Sequence, residues 1–382
     1  MARRESRRGL AGLTVARDLY PSAFEDDEVP VSLALENRSR RTCWLVEIGD
    51  SFGPAVAERQ ALLEPGPLHG ARRRRLTYRT VCSRPWGIHA VGPLRLAASD
   101  PFGLFHAERA WPDVAPFAVF PRVWPVAGLE RLGARASLSP QEIASPRPGQ
   151  SLAYLGVRDY RPGDDLRRIH WPATARRGSP VVKEHEVDLV PYFTLLLDLE
   201  RAHRAGTGLK STLEYLVRTS ACLVWTAARR GDLVQVLAEG GRRLTVPPGS
   251  GTLHATHALY ELIHAQQDGR LELLDLVEQQ QPHLPPGSTA ALLSGTLFLD
   301  LARLETALAG LQARGVRPVV LLVNKDSFLP IERRAAPRDE AAEQARAVES
   351  LLRARRVPGA ILSAEDDLEE ALGRPDLFGE PA

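Results

Sequence analysis

The first third of the chain alternates apolar and polar residues over short runs. Between residues 13 and 126, runs such as VPVSLALENRS and GIHAVGPLRLAA change character at nearly every second position, and turn-rich stretches such as PSAFEDDE and LEPGPLHGA separate them. A period of two with frequent turns is typical of short antiparallel strands packed as a sandwich or barrel. We therefore predict an all-β, sandwich-like domain over residues 13–126, after a basic tail at residues 1–12.

Within this domain, the segment SDPFGLFHAER places an Asp-Pro pair before two phenylalanines and a leucine. Asp-Pro favours a tight turn, and large apolar side chains are more often buried than polar ones. The segment therefore predicts a tight corner whose aromatic side chains, Phe102 and Phe105, fill the core.

After residue 187 the pattern changes to continuous apolar runs separated by amphipathic ones. The runs YFTLLL, TAALLS and PVVLLV contain no sustained alternation, which is typical of strands buried on both faces. Between the first two, STLEYLVRTSACLVWTAARRG repeats its apolar residues at helical spacing and ends in glycine. The pattern predicts a doubly wound α/β domain over residues 187–382. Residues 127–150, rich in Pro, Gly and small residues, are predicted to be a linker, and residues 151–186 form a separate segment.

Composition narrows the possible functions. The chain has 49 Lys and Arg against 47 Asp and Glu, so it lacks the strongly basic balance of a general nucleic-acid-binding protein. Its three cysteines, Cys43, Cys82 and Cys222, have no CxxC spacing, which argues against a zinc site or a disulfide framework and fits a reducing cytosol.

No run of eighteen apolar residues, the length needed for a membrane-spanning helix, occurs in the sequence. We expect a cytoplasmic protein whose basic N-terminus could touch anionic lipid at the inner face of the plasma membrane, although a solvated tail is the more ordinary interpretation.

Charged and aromatic residues crowd around a Pro-Gly turn in RDYRPGDDLRRIHW, residues 158–171. Gly163 suits the third position of a type II turn, and Asp164 or Asp165 can cap a short helix that Pro172 would end. The helix dipole and local ion pairs then account for the charges. This structural interpretation makes Trp171 a buried anchor.

The alternative is a metal-dependent hydrolase or nuclease that uses Asp164, Asp165 and His170 as its acid and base groups. Adjacent side chains point in different directions, however, so the two aspartates would not form a close carboxylate pair. Ordinary structural or docking roles are therefore the favoured interpretation.

Together with SRPWGIHAVGPLRLAASDPFGLF upstream and VVKEHEVDLVPYFTLLLDLE downstream, this segment resembles the signature of the bacterial domain-of-unknown-function 58 family. The resemblance covers nearly the whole chain. It implies a β-rich region followed by a von Willebrand factor A-like domain, in proteins often encoded beside MoxR-type AAA+ ATPases and thought to work with them in assembling or activating other proteins. Members usually begin with a pair of membrane helices; this chain starts at about the point where that hairpin would end, so the hairpin is either absent or truncated.

From this resemblance we expect a non-catalytic adaptor with no cofactor, no nucleic-acid partner and a MoxR-type ATPase as a protein partner. The contact surface is expected on the signature segment. Its candidate residues are Arg158, Tyr160, Gly163, Asp164, Asp165, Arg167, Trp171 and Arg176.

The resemblance also implies a place for Mg²⁺, because von Willebrand factor A-like domains usually bind it through a DxSxS loop, a threonine and a further aspartate. Here Asp198 stands first, but Glu200 and Ala202 replace the two serines. Thr252 could supply the threonine, and Gly295 stands where the last aspartate belongs. We therefore expect a degenerate site that binds no metal, with the charge of Glu200 as the one feature that could rescue it. The scattered histidines of this half are predicted to be ordinary surface or core residues: His203, His254, His257, His264 and His283.

Overall fold

A computed structural model of the protein describes most of the chain. The described residues are 10–56, 59–63, 66–102, 104–129, 154–161, 166, 169–185, 191–330, 332, 338–374 and 378.

The N-terminal region consists of two facing β-sheets. One has the antiparallel order β1 (Leu13–Asp18), β3 (Glu28–Asn37), β6 (Arg73–Val81). The other has the order β2 (Ser22–Phe24), β9 (Ala115–Phe120), β7 (Gly87–Ser99), β4 (Trp44–Phe52), β5 (Arg59–Leu63), and β8 (His106–Trp111) also pairs with β7. Alternate residues of β3, such as Val31, Leu33 and Leu35, are fully buried and share one core with Ile48 and Leu94 of the second sheet. The prediction of a β-rich N-terminal region is confirmed.

The predicted burial of the aromatic side chains in SDPFGLF is wrong. Phe102 is 84% exposed and Phe105 is 43% exposed, because the segment forms the tip of the hairpin between β7 and β8 and projects beyond the sheet. The core of this region is filled instead from the strands, for example by Phe52 and Phe117, whose rings meet edge to face.

The C-terminal region is an α/β layer structure, as its apolar strands and amphipathic helices predict. Its sheet has the order β16 (Arg243–Gly249), β15 (Leu233–Glu239), β12 (Tyr192–Leu197), β17 (Thr289–Ser294), β18 (Arg317–Val323), β19 (Gly359–Leu362), and all neighbouring pairs are parallel except β16 with β15. Helices pack on both faces of this sheet, which gives two apolar clusters. They are α2 (Thr212–Arg230), α3 (Gly251–Leu262), α4 (Leu273–Gln280), α5 (Leu301–Ala313), α6 (Arg338–Ala354) and α7 (Leu368–Gly373).

The two regions are packed against each other. Phe24 of the β-region contacts Trp225 of α2 edge to face, and Val126 and Leu129, beyond the last β-region strand, are buried in the α/β core. At the same boundary, Arg218 of α2 bridges two carboxylates: Glu25, at 2.7 Å, and Glu214. All three side chains are almost buried. Because an uncompensated buried charge is costly, the bridge makes the two regions depend on each other for stability.

The segment between the regions adds a small two-stranded unit. Strand β10 (Tyr154–Asp159) pairs antiparallel with β11 (Val181–His185), and helix α1 (Trp171–Arg177) lies between them in sequence.

Over the part of the chain that the structure describes, no helix combines the length and apolarity needed to cross a bilayer. The three cysteines are buried and free, and burial raises the pKa of the Cys222 thiol to about 12.

Candidate functional site

The carboxyl ends of parallel strands β12 and β17 bring two polar residues together. Asp198 follows β12, and Ser294 ends β17. The strands are in register so that Leu197 lies opposite Leu293, and the Asp198 amide donates to the Leu293 carbonyl at 2.9 Å. Loops at this edge of a doubly wound sheet form the crevice in which such folds usually bind ligands.

The Asp198 carboxylate is fully buried and accepts three hydrogen bonds from the protein. Its Oδ1 accepts from the Glu200 amide at 2.8 Å, and its Oδ2 accepts from the Ser294 hydroxyl at 2.6 Å. The same Oδ2 lies 2.7 Å from Nδ1 of His203. An ionised carboxylate can only accept, so the histidine carries the proton on Nδ1. These donors stabilise a negative charge that burial alone would make costly.

His203 lies between two carboxylates. Its Nε2 is 3.3 Å from Oε2 of Glu200, on the opposite side of the ring from Asp198. The contact with Glu200 is an ion pair whose angles do not make it a hydrogen bond. Burial lowers the pKa of His203, but the hydrogen bond and charge of Asp198 outweigh it and raise the pKa above its usual value. Burial also raises the pKa of Glu200. The arrangement favours an imidazolium that neutralises the cleft from within.

Donor atoms of these three side chains lie within 4.8 Å of one another, close enough to consider one metal ion. Mg²⁺ needs about six oxygen ligands in octahedral geometry, and the first loop offers two carboxylates and an imidazole. A side chain at Gly295 would have little room, because its Cβ would lie 3.0 Å from Nε2 of Gln267 and 3.1 Å from Cβ of His203. The residues present do not fit a Mg²⁺ site of the kind the resemblance implies.

The remaining cleft residues are divided between interior and surface. Thr252 is exposed in the first turn of α3. Gln267 is buried, and its Oε1 accepts from the Thr212 hydroxyl at 2.8 Å while its Nε2 lacks a hydrogen-bond acceptor. The prediction that His203 is an ordinary surface or core residue missed its contact with Asp198. The available signal was its position five residues after Asp198, in the loop that follows a buried strand.

Among the described residues of the signature segment, Trp171 and the arginines lie exposed to solvent. Trp171, the first residue of α1, is 68% exposed, so the prediction that it is a buried anchor is wrong. The short helix buries none of its residues, and both Arg176 and Arg177 are exposed. Among the described residues, none of α1 reaches the core, so the indole enters no apolar layer that the structure describes.

Pro172 occupies the first turn of α1, where a missing amide proton costs nothing. The short helix that we predict before it, from Asp164 or Asp165, lies mostly outside the described residues. His170 caps the helix: its Nδ1 accepts from the Ala173 amide at 3.1 Å. Gly178, with φ of 75°, ends it. Tyr160 is half-buried, and its amide donates to the Pro180 carbonyl at 2.9 Å. The other candidate contacts, Gly163, Asp164, Asp165, Arg167 and the side chain of Arg158, lie outside the described residues.

Comparison with known proteins identifies the family. A family model described as protein of unknown function DUF58 matches residues 156–359, which is more than half of the chain. The chain belongs to the DUF58 family. Uncharacterized proteins of Mycobacterium tuberculosis and Mycobacterium bovis are 30% identical to this DUF58 protein over 108 residues, or 28% of its length. The match spans 32%, about a third, of the length of these relatives.

Solved structures share only partial likeness with this DUF58 protein. Proximal thread matrix protein 1 from the mussel byssus is 13% identical, with a TM-score of 0.29 over 36% of this chain and 38% of its own. A CARDB domain from Pyrococcus furiosus is 12% identical, with a TM-score of 0.21 over 29% of this chain and 94% of its own. At these scores neither likeness assigns a fold or function.

Proposed function

We propose that this DUF58 protein is a non-catalytic adaptor that binds protein partners, among them a MoxR-type AAA+ ATPase, in the assembly or activation of other proteins. In this proposal the α/β region is a von Willebrand factor A-like domain whose metal site has degenerated. The family resemblance suggests the partner, and one observation on the signature segment carries the binding role.

That observation is the exposure of Trp171. Trp and Arg are among the residues most enriched at the energetic centres of protein interfaces. Here the indole stands at the start of a helix whose other end carries two exposed arginines, Arg176 and Arg177. Leu166, five residues earlier, is exposed as well. An exposed indole followed along the helix by cations suits a partner surface that is apolar at its centre and acidic at its rim.

The cleft at Asp198 supports a binding role more than a catalytic one. Ser294 is fully buried and its hydroxyl is hydrogen bonded to the buried Asp198 carboxylate, so this serine is closed to a substrate that it could attack as a nucleophile. His203 has both ring nitrogens beside carboxylates, and its raised pKa favours the imidazolium form, which has no free lone pair with which to act as a base. The polar groups stabilise one another and keep the cleft folded.

The test is direct binding between the purified protein and the MoxR-type ATPase of the same organism, with ATP, ADP or no nucleotide. We expect nucleotide-dependent binding that Trp171→Ala weakens by about thirty-fold, the effect of losing an interface centre worth about 2 kcal/mol. Leu253→Ala is the matched control, because Leu253 is 90% exposed and belongs to α3, outside the signature segment. An absence of binding with all proteins folded would refute the partner. Equal binding by wild type and Trp171→Ala would refute the proposed surface.

A further inference from the structure

One end of the β-sandwich carries a group of exposed apolar side chains. Trp44 begins β4 and lies opposite Ser99 at the end of β7, and Ser99 lies opposite His106 at the start of β8. The start of β4 and the β7–β8 hairpin tip are therefore neighbours. Phe102 is 84% and Leu104 is 74% exposed on that tip. We call this group the apolar tip; its members are Trp44, Leu45, Phe102, Leu104 and Phe105.

Hydrogen bonds between Asp100 and the backbone of the hairpin hold the apolar tip in its projecting position. Asp100 is nearly buried, and its carboxylate accepts from the amides of Phe102, at 3.3 Å, and Phe105, at 2.7 Å. The Asp100 amide in turn donates to the Phe105 carbonyl at 3.0 Å. The turn is thus fixed with its apolar side chains outward, and the one carboxylate within it points inward, away from solvent.

Exposed arginines lie at the same end of the sandwich. Asn37 ends β3, and its side chain donates to the Arg41 carbonyl at 2.7 Å while its amide donates to the Arg72 carbonyl at 2.9 Å. The loop from β3 to β4 and the start of β6 therefore meet here, beside the first residue of β4. We call their arginines the basic loops; the members are Arg38, Arg40, Arg41, Arg72 and Arg73, all exposed.

The basic loops carry excess positive charge. Glu36 pairs with Arg38 at 3.1 Å and with Arg73 at 3.7 Å, so one carboxylate is shared between two guanidinium groups. The nearby Asp100 is occupied by the backbone of the hairpin tip. This end of the molecule therefore combines a convex apolar projection with a cationic border.

We propose that the apolar tip and the basic loops dock this protein onto an anionic lipid surface. Aromatic and leucine side chains enter the boundary between headgroups and acyl chains, and guanidinium groups bind lipid phosphates. Charge complementarity selects anionic lipid. The convex shape favours a bilayer, because an apolar projection enters a fluid interface without a matching pocket. This surface differs from the signature segment, and its role does not depend on the adaptor proposal.

Flotation of the purified protein with lipid vesicles tests the proposal. The probes are vesicles of phosphatidylcholine alone and of phosphatidylcholine mixed with phosphatidylglycerol. We expect recovery with the mixed vesicles only, and a fall in binding as salt rises. Arg40→Gln with Arg41→Gln should weaken partitioning about five-fold for each arginine neutralised. Phe102→Ser with Leu104→Ser should weaken it about ten-fold, and Leu104→Ser alone is a milder second variant.

The matched control is Leu253→Ser with Arg346→Glu, which removes an equally exposed leucine and an exposed arginine from the α/β region. It should float as the wild type does. Thermal unfolding of every variant should match the wild type, since the substituted side chains are exposed. Absence of binding to anionic vesicles would overturn the proposal, as would equal loss in the control and tip variants. Variants that leave flotation unchanged but weaken binding to a purified protein partner would assign the surface to that protein and overturn the lipid proposal.

Discussion

The unfolding free energy lost when Trp171 is replaced with alanine distinguishes a docking residue from a core residue. About a third of Trp171 is covered in the folded protein, out of about 250 Å² for a whole tryptophan. Part of that covered area belongs to backbone and Cβ atoms that alanine keeps, so about 50 Å² of apolar contact is lost. At about 25 cal/mol per Å², the substitution costs about 1 kcal/mol of unfolding free energy.

A core tryptophan would behave differently, since truncating a buried one costs about 3 to 5 kcal/mol. Urea unfolding of the wild type and Trp171→Ala, followed by circular dichroism, measures the difference. Phe117→Ala supplies the buried reference, because Phe117 is packed inside the sandwich. We expect a loss of about 1 kcal/mol or less for Trp171→Ala and at least about 3 kcal/mol for Phe117→Ala. Equal losses would show that the indole is packed, and the case for a docking surface would fail.

Further predictions concern the buried charges. Arg218→Met leaves the carboxylates of Glu25 and Glu214 without their cation and should cost about 3 kcal/mol; an unchanged unfolding midpoint would contradict the role of this bridge between the regions. The raised pKa values of His203 and Glu200 mean that both groups add stability below their unfolded-state pKa values and lose it as pH rises through their folded-state values. The contribution of Glu200 to the unfolding free energy should therefore decline above about pH 4.3, and that of His203 above about pH 6.5. The decline above about pH 6.5 should be smaller in His203→Gln, and identical pH profiles would refute this. Millimolar Mg²⁺ should leave the unfolding temperature unchanged, whereas a rise that Asp198→Ala abolishes would show that the cleft accepts the ion.

Much of the fold follows from residue periodicity. Uninterrupted apolar runs become β12, β17 and β18 because both faces of a parallel sheet are covered by helices. The residues of β3 alternate between buried and more exposed positions because only one face of this strand lies against the core. Helix α4 was missed because its eight residues, LLDLVEQQ, are too few to show a period. The antiparallel direction of β16 was equally hidden, since residue pattern does not encode the direction of an edge strand.

The prediction of burial from sequence fails mainly for apolar residues that the structure exposes. Phe102 and Trp171 were both assigned to the core from their hydrophobicity, yet each stands at a turn or helix start that projects from its layer. Burial favours apolar side chains, but roughly half of a folded surface is still apolar, so composition alone does not locate the exceptions. Long-range contacts determine which apolar side chains stay exposed, because residues far away in sequence determine whether another layer covers a turn.

The cleft at Asp198 shows the same limit of prediction from sequence, because contacts between distant residues shape it. Sequence placed Asp198, Glu200 and Gly295 at strand ends but not His203 between the two carboxylates. A bound cation ordinarily balances acidic groups gathered at such an edge; here His203, whose pKa is raised, lies between the two carboxylates. A protonated imidazole in this position offsets part of the negative charge of the cleft without a divalent ion. The cleft should therefore keep its stability without added Mg²⁺, which is what unfolding with and without the ion measures.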